Sequence, residues 1–305
     1  MSPTAADIFA PLPAIESFLD TWLTSLPDDR PLALREAMRY SAIGAGKRLR
    51  PILAWHACTA AAGTGPDTGP DTGKASLLAG AAIELVHCFS LIHDDLPALD
   101  NDDLRRGKPT LHKHTSEAMA ILAGDQLLTD AFLLLTTHPH PISANTRLEL
   151  LRELSHATSA MISGQIYDTL GGTPDNLSPL DRVQLVHNNK TGALIRAACR
   201  MGALCAPSPS PQTLEAITTY ARAIGLMFQV VDDLIDVTQT AETAGKRTNK
   251  DAQAGKLTYP SVLGIEGTQK EIARLHAAAV TALAPLGNEA DVLRSIADFL
   301  ATRTK

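Results

Sequence analysis

Two groups of aspartates carry the strongest chemical signal in the sequence: Asp94, Asp95 and Asp100 in DDLPALD, and Asp232, Asp233 and Asp236 in DDLID. Each group follows an apolar run. Carboxylates gathered on one buried cavity repel one another and lose solvation, so a cation or a proton must compensate. An all-oxygen donor set of this kind suits magnesium, which keeps several waters and completes its shell with substrate phosphates. On a helix, Asp232 and Asp236 share a face, whereas Asp233 points about 100° away. Taken singly, either group could cap a helix or form a solvated acidic face. As a pair, each ending an apolar helix, they suggest opposed walls of one bundle cavity.

Cations stand near both groups. GAGKRLRP brings Lys47, Arg48 and Arg50 into one turn, and NDDLRRGKPT sets Arg105 and Arg106 just after the first acidic group. Further along come Lys190-Thr191, the segment Lys246-Arg247-Thr248-Asn249-Lys250-Asp251, and Gly255-Lys256. Such bases can clamp a diphosphate, because Arg offers several donors without losing its charge. A solvated basic helix start remains the alternative for GAGKRLRP. It is not a P-loop: Ser41 stands where the leading glycine is needed, and Arg48 stands where Ser or Thr follows the lysine. His93-Asp94 also suggests an HD-type phosphohydrolase, but such a centre needs more histidines on the same metal, and His87 lies about 240° around the helix from His93. HPHP at 138–141 reads as a proline-restricted loop rather than a metal site.

The elements that must position these residues read as helices. Among 305 residues, 45% are hydrophobic and only 4% aromatic, and Ala/Leu/Ile runs recur at three-to-four-residue spacing. Helices are expected at 7–26, 32–43, from about 50, at 76–96, 115–136, 144–170, 179–205, 211–237, 258–266 and 269–303. The TGPD repeat in GTGPDTGPDTG, residues 63–73, and APSPSPQ, residues 206–212, read as loops. The expected architecture is all-α, a single domain over 1–305 with a deep central cavity. A net charge of −6 argues against nucleic acid or an anionic membrane surface as partner. Cys58, Cys88, Cys199 and Cys205 lack CxxC spacing and lie in apolar stretches, which suits reduced core residues and a cytoplasmic location. The N-terminus shows no basic segment leading into an apolar run, and no apolar segment is expected to span a membrane free of charge.

GAGKRLRP, ELVHCFSLIHDDLPALDNDDLRRGKPT, ILAGDQLL, HNNKTGALIRAA, GLMFQVVDDLIDV and GKLTYP occur in this order over nearly the whole chain. In this combination the sequence resembles the trans-isoprenyl diphosphate synthases, and within them the bacterial farnesyl type. The resemblance implies the isoprenoid synthase bundle, a homodimer, and three magnesium ions per site bridged by substrate diphosphate. It implies Asp94, Asp100 and Asp232 as leading metal ligands, with Asp95, Asp233 and Asp236 supporting. Arg105, Lys190, Thr191, Gln229, Lys246 and Lys256 would hold the allylic diphosphate, and Lys47, Arg50, His87 and Arg106 isopentenyl diphosphate. Two departures from the family pattern stand out, Ala45 for the first glycine of GGKR and Asn101 for an aspartate.

The implied reaction is ionisation of an allylic diphosphate, attack by the isopentenyl double bond, and loss of a proton, with water excluded. Phe89, five residues before Asp94, matches the aromatic of bacterial farnesyl synthases, and Ser90 is small, which implies a fifteen-carbon product. Helix geometry is less decisive, since Phe89 lies about 140° from Asp94 and Ser90 about 40°. A geranylgeranyl or longer-chain synthase and a non-catalytic partner subunit are the competing readings. Such subunits generally lose the aspartates or bases, and both acidic groups are complete here.

Overall fold

A computed structural model describes residues 4–26, 29–44, 46–63, 72–139, 142–242 and 257–304. Among these, the helices are α1 (Ala5–Phe9), α2 (Leu12–Thr24), α3 (Leu32–Ala42), α4 (Leu49–Ala62), α5 (Leu77–Asp94), α6 (Leu111–His114), α7 (Glu117–Thr137), α8 (Ala144–Thr169), α9 (Pro179–His187), α10 (Ala193–Leu204), α11 (Pro211–Glu242), α12 (Tyr259–Ala282) and α13 (Asp291–Thr302). The strands described form one short antiparallel hairpin, β1 (Leu104–Arg105) with β2 (Lys108–Pro109). The expected all-α architecture is therefore observed. Lys246, Lys256, Ala45 and most of the TGPD repeat lie outside the described residues.

Local chemistry sets the helix ends. Thr4 and Asp7 form a reciprocal capping box on α1, and Ser116, Ser143 and Ser178 accept from the N–H groups of Met119, Thr146 and Asp181. The helix expected over 7–26 divides at Ala10–Pro11, because Pro11 has no N–H to continue the α1 ladder. The expected break near 267 falls instead at Gly264 (φ 71°), inside α12. The long helix expected over 269–303 is interrupted by a 3-10 stretch, Ala284–Ala290, which begins around Pro285 and turns at Gly287 (φ 57°). A π-helical turn, Asn188–Gly192, sits between α9 and α10.

The core is helix on helix. Central α5 packs against α4, α7 and α10, and α11 packs against α10 and α12. Leu78, Ile83, Leu85 and Val86 of α5 are fully buried, as are Leu127 and Leu134 of α7. Arg30 clamps the fully buried Asp130 of α7 with two hydrogen bonds of 2.6 and 2.8 Å, tying the start of α3 to the bundle. All four cysteines are free and buried. By length and composition, Thr72–Asp94 and Glu117–Thr137 are apolar enough to cross a membrane, and neither is free of charged residues. The first is mostly consumed by packing and carries the buried Glu84; less than half of the second is buried.

Candidate active site

The C-terminal end of α5, the first turn of α4, the π turn, α11 and α13 surround a cavity of about 560 Å³. Lys47, Arg50, His87, Asp94, Asp100, Arg105, Arg106, Lys190, Thr191, Gln229 and Asp232 all line it, together with Phe9, Leu91, Phe228, Phe299 and Leu300. Charged groups expected from four separate sequence segments thus meet in one place.

Helix α5 stops at Asp94, and the chain folds back so that the Asp100 N–H donates to the Asp94 carbonyl at 2.8 Å. Asn101 follows in the left-handed region (φ 50°), a conformation Asn tolerates better than most side chains. Asp is accommodated there too, so the structure gives no reason for Asn in place of Asp. Burial, opposed by Lys190 and reinforced by Asp100, pushes the Asp94 carboxyl up to about 6. Asp95 faces elsewhere. It is buried and binds Arg105, whose Nε donates to Oδ1 at 2.7 Å and to Oδ2 at 2.9 Å. Asp95 therefore fixes the Arg105 guanidinium and does not itself line the cavity.

Arg105 ends β1, paired with Lys108, and Arg106 opens the two-residue turn of the β1–β2 hairpin at φ 53°. The Tyr40 hydroxyl donates to the Pro109 carbonyl at 2.8 Å, and the Thr110 hydroxyl donates to the Asp102 carbonyl at 2.7 Å; these bonds dock the hairpin on α3 and close its base. Opposite, burial works against the charge of Arg50, and burial plus surrounding guanidinium groups holds His87 well below the usual imidazole range. His87 is therefore a neutral donor or acceptor at pH 7.

Lys190 and Thr191 ride on the π turn. A Cβ at Gly164 of α8 would stand 2.2 Å from the Lys190 backbone nitrogen, so glycine lets the two segments touch. Lys190 Nζ donates to Asp168 Oδ2 at 2.7 Å. From Thr191 a chain of hydrogen bonds runs through Gln229 (3.1 Å) to Asp232 (3.0 Å), and Arg303 closes it on Asp232 Oδ1 at 2.6 Å. Burial raises the Asp232 carboxyl, with Arg303 opposing. Asp233 turns away from this cavity: its Oδ2 accepts from the Tyr259 N–H at 2.9 Å and contacts His187 Nε2 at 3.0 Å. Asp236 is exposed one turn further along α11. Phe89 is buried edge-on against His93, with ring centroids 4.9 Å apart, and Ser90 bonds back to the His87 carbonyl; neither lines the cavity.

Among the described residues, no three His, Cys, Asp or Glu side chains are preassembled as a metal cage. The cavity nevertheless offers Asp94, Asp100 and Asp232, all oxygen donors, on facing walls lined with cations. That donor set fits a hard divalent ion whose remaining positions are filled by water and substrate phosphate.

A profile of the polyprenyl synthetase family matches residues 31–286. This chain belongs to that family. The polyprenyl synthetase is 42% identical over 276 residues to farnesyl diphosphate synthase from Escherichia coli K12, covering 88% of this chain and 89% of that protein. It is 41% identical to geranylgeranyl pyrophosphate synthase 11 from Arabidopsis thaliana, covering 92% and 77%. Its fold superimposes on an FPP/GFPP synthase from Zymomonas mobilis in the apo form with a TM-score of 0.82 and 35% identity, covering 98% and 100%. It is accordingly a short-chain prenyl diphosphate synthase by family, a prenyltransferase.

Several residues of this synthetase's site escaped sequence reasoning. Asp168 and Arg303 sit in unremarkable amphipathic helix ends, and only their partners reveal them. Glu84 had a usable signal, a lone carboxylate in the apolar α5 run, and its partner is Arg48.

Proposed function

We propose that this prenyltransferase condenses isopentenyl diphosphate with dimethylallyl and then geranyl diphosphate to give farnesyl diphosphate, with magnesium at the aspartates. The observation carrying this reading is that Asp94, Asp100 and Asp232 share one cavity with Lys47, Arg50, Arg105, Arg106 and Lys190. Magnesium held by those aspartates would supply the positive charge that stabilises a departing diphosphate. Arg105, aimed by Asp95, and Lys190, aimed by Asp168, would bind and orient the allylic diphosphate, joined by Thr191, Gln229, Lys246 and Lys256. Lys47, Arg50, His87 and Arg106 would hold isopentenyl diphosphate. When the allylic carbon–oxygen bond breaks, its electron pair leaves with diphosphate; the isopentenyl double bond forms the new carbon–carbon bond, and the released diphosphate takes the proton. No protein nucleophile is needed. Phe9, Leu91, Phe228 and Phe299 keep water from the carbocation.

A fifteen-carbon product is favoured by the bulk of Phe89 on α5 below Asp94 and by the likeness to the Escherichia coli farnesyl enzyme. The geranylgeranyl reading draws on the Arabidopsis relative and on the position of Phe89 off the cavity wall. Chromatography of products from wild type and Phe89→Ala separates them. The proposal expects farnesyl diphosphate from wild type and longer products from the variant; an unchanged distribution would count against Phe89 as the floor. Homodimerisation belongs to the same reading. Ile121, Leu122 and Leu133 of α7 and Leu148, Ile162 and Ile166 of α8 are exposed, and apolar faces of this kind suit an interface between copies.

A further inference from the structure

Arg48 is part of the basic run beside the cavity, yet its guanidinium points inward. Its side chain is 1% exposed and its backbone is left-handed (φ 50°). Nε donates to Glu16 Oε1 at 2.7 Å, Nη1 to Glu84 Oε1 at 2.8 Å, and Nη2 to the Ala42 carbonyl at 2.6 Å and Glu16 Oε2 at 3.3 Å. Burial opposes its charge, but the two carboxylates more than offset that and raise its pKa. Glu84 is itself buried, on α5, three residues before His87. Glu16 lies on α2 and Ala42 ends α3, so one side chain joins three helices where the chain enters α4. A non-glycine residue in the left-handed region is strained and persists only where its surroundings hold it.

Arg48 and Glu84 border the cavity, but their side chains are nearly fully buried and paired with each other. Lys47 and Arg50 line the cavity, and the Nε of Arg50 is buried with no hydrogen-bond partner among the described residues. A buried guanidinium donor left open beside a cavity calls for an acceptor from a ligand. Arg48 has little such capacity, since two carboxylates and a carbonyl engage four of its five N–H donors.

We propose that Arg48 is the positioning residue of the isopentenyl diphosphate subsite. Its ion pairs with Glu84 and Glu16 hold the left-handed turn that presents Lys47 and Arg50 to the diphosphate, and Arg48 itself never touches substrate. This rests on the functional reading above and refines it. Lysine cannot replace it, because a single ammonium cannot span Glu16, Glu84 and the Ala42 carbonyl in one plane.

The test measures thermal midpoints, the KM for each substrate, and calorimetric binding of isopentenyl diphosphate and of dimethylallyl diphosphate. It compares wild type, Arg48→Lys and Arg48→Met/Glu84→Gln. The double variant removes the carboxylate that Arg48→Met alone would leave buried and unpaired. In folded variants the KM and dissociation constant for isopentenyl diphosphate should rise about tenfold or more, with those for the allylic diphosphate within about threefold. A purely structural role would raise both equally, and that result overturns the proposal. So does a folded double variant with wild-type affinity for isopentenyl diphosphate. If wild type itself binds neither diphosphate, the functional reading fails first and the subsite falls with it; active wild type beside an unaffected variant sinks the subsite alone.

Discussion

Asp94 is a carboxylate held against its own charge. Its pKa rises from 3.8 to about 6, mainly through burial and partly through Asp100. A carboxyl raised on folding costs nothing below the unfolded value; the cost grows as pH climbs from the unfolded value to the folded one and is complete above it. Without divalent ions, Asp94→Asn should therefore melt at higher temperature than wild type at about pH 7.5, with the difference shrinking towards zero near pH 4. At about 1.4 kcal/mol per unit, the gain is capped near 3 kcal/mol and reduced by solvent screening. Equal midpoints at the higher pH would show that Asp94 is not strained. The residue types of this site were legible because acids and bases interrupt apolar helices. The separate tasks of Asp95 and Asp233 were not, since Arg105, His187 and Tyr259 reach them through tertiary contacts.

At the scale of elements, the π turn fixes where Lys190 and Thr191 point. NNKTG carries no local signal for it, and the helix expected over 179–205 ran straight through. The turn instead coincides with the close approach of α8 at Gly164. Gly164→Ala would drive a Cβ into the Lys190 backbone, which cannot yield as a flexible side chain can. Overpacking of this kind costs about 1–3 kcal/mol. Turnover by the folded variant should fall further than stability accounts for, because Lys190 moves with the backbone. A variant with wild-type melting and turnover would show that this contact does not set the site. Most helix boundaries followed from apolar periodicity, but ten helices were expected where thirteen are described, because the spans 7–26 and 179–205 each divide and Leu111–His114 carries no such pattern. The breaks at Pro11, Gly264 and Gly287 depend on single residues whose effect varies with position.

Across the whole molecule, α1 and the end of α13 meet over the cavity. Phe9 of α1 packs edge-on against Phe299 of α13 at 5.9 Å, and the Ile8 carbonyl contacts the buried His56 ring at 3.0 Å. Arg303 reaches Asp232 and stacks 4.0 Å over Phe228. No sequence pattern pairs residues so far apart, which is why this wall was not foreseen. The exposed faces of α7 and α8 carry a separate expectation: light scattering should give twice the 32.4 kDa chain mass, with dissociation on Leu122→Asp. A monomeric wild type at micromolar concentration would remove the dimer from the account. The central claim is that aspartates and bases in one cavity perform metal-dependent prenyl transfer. Its most direct test incubates the protein with isopentenyl and dimethylallyl diphosphates and identifies the products with magnesium, with excess chelator, and after magnesium is restored. Longer allylic diphosphates should form, vanish and return in that order; undiminished product in chelator would contradict it.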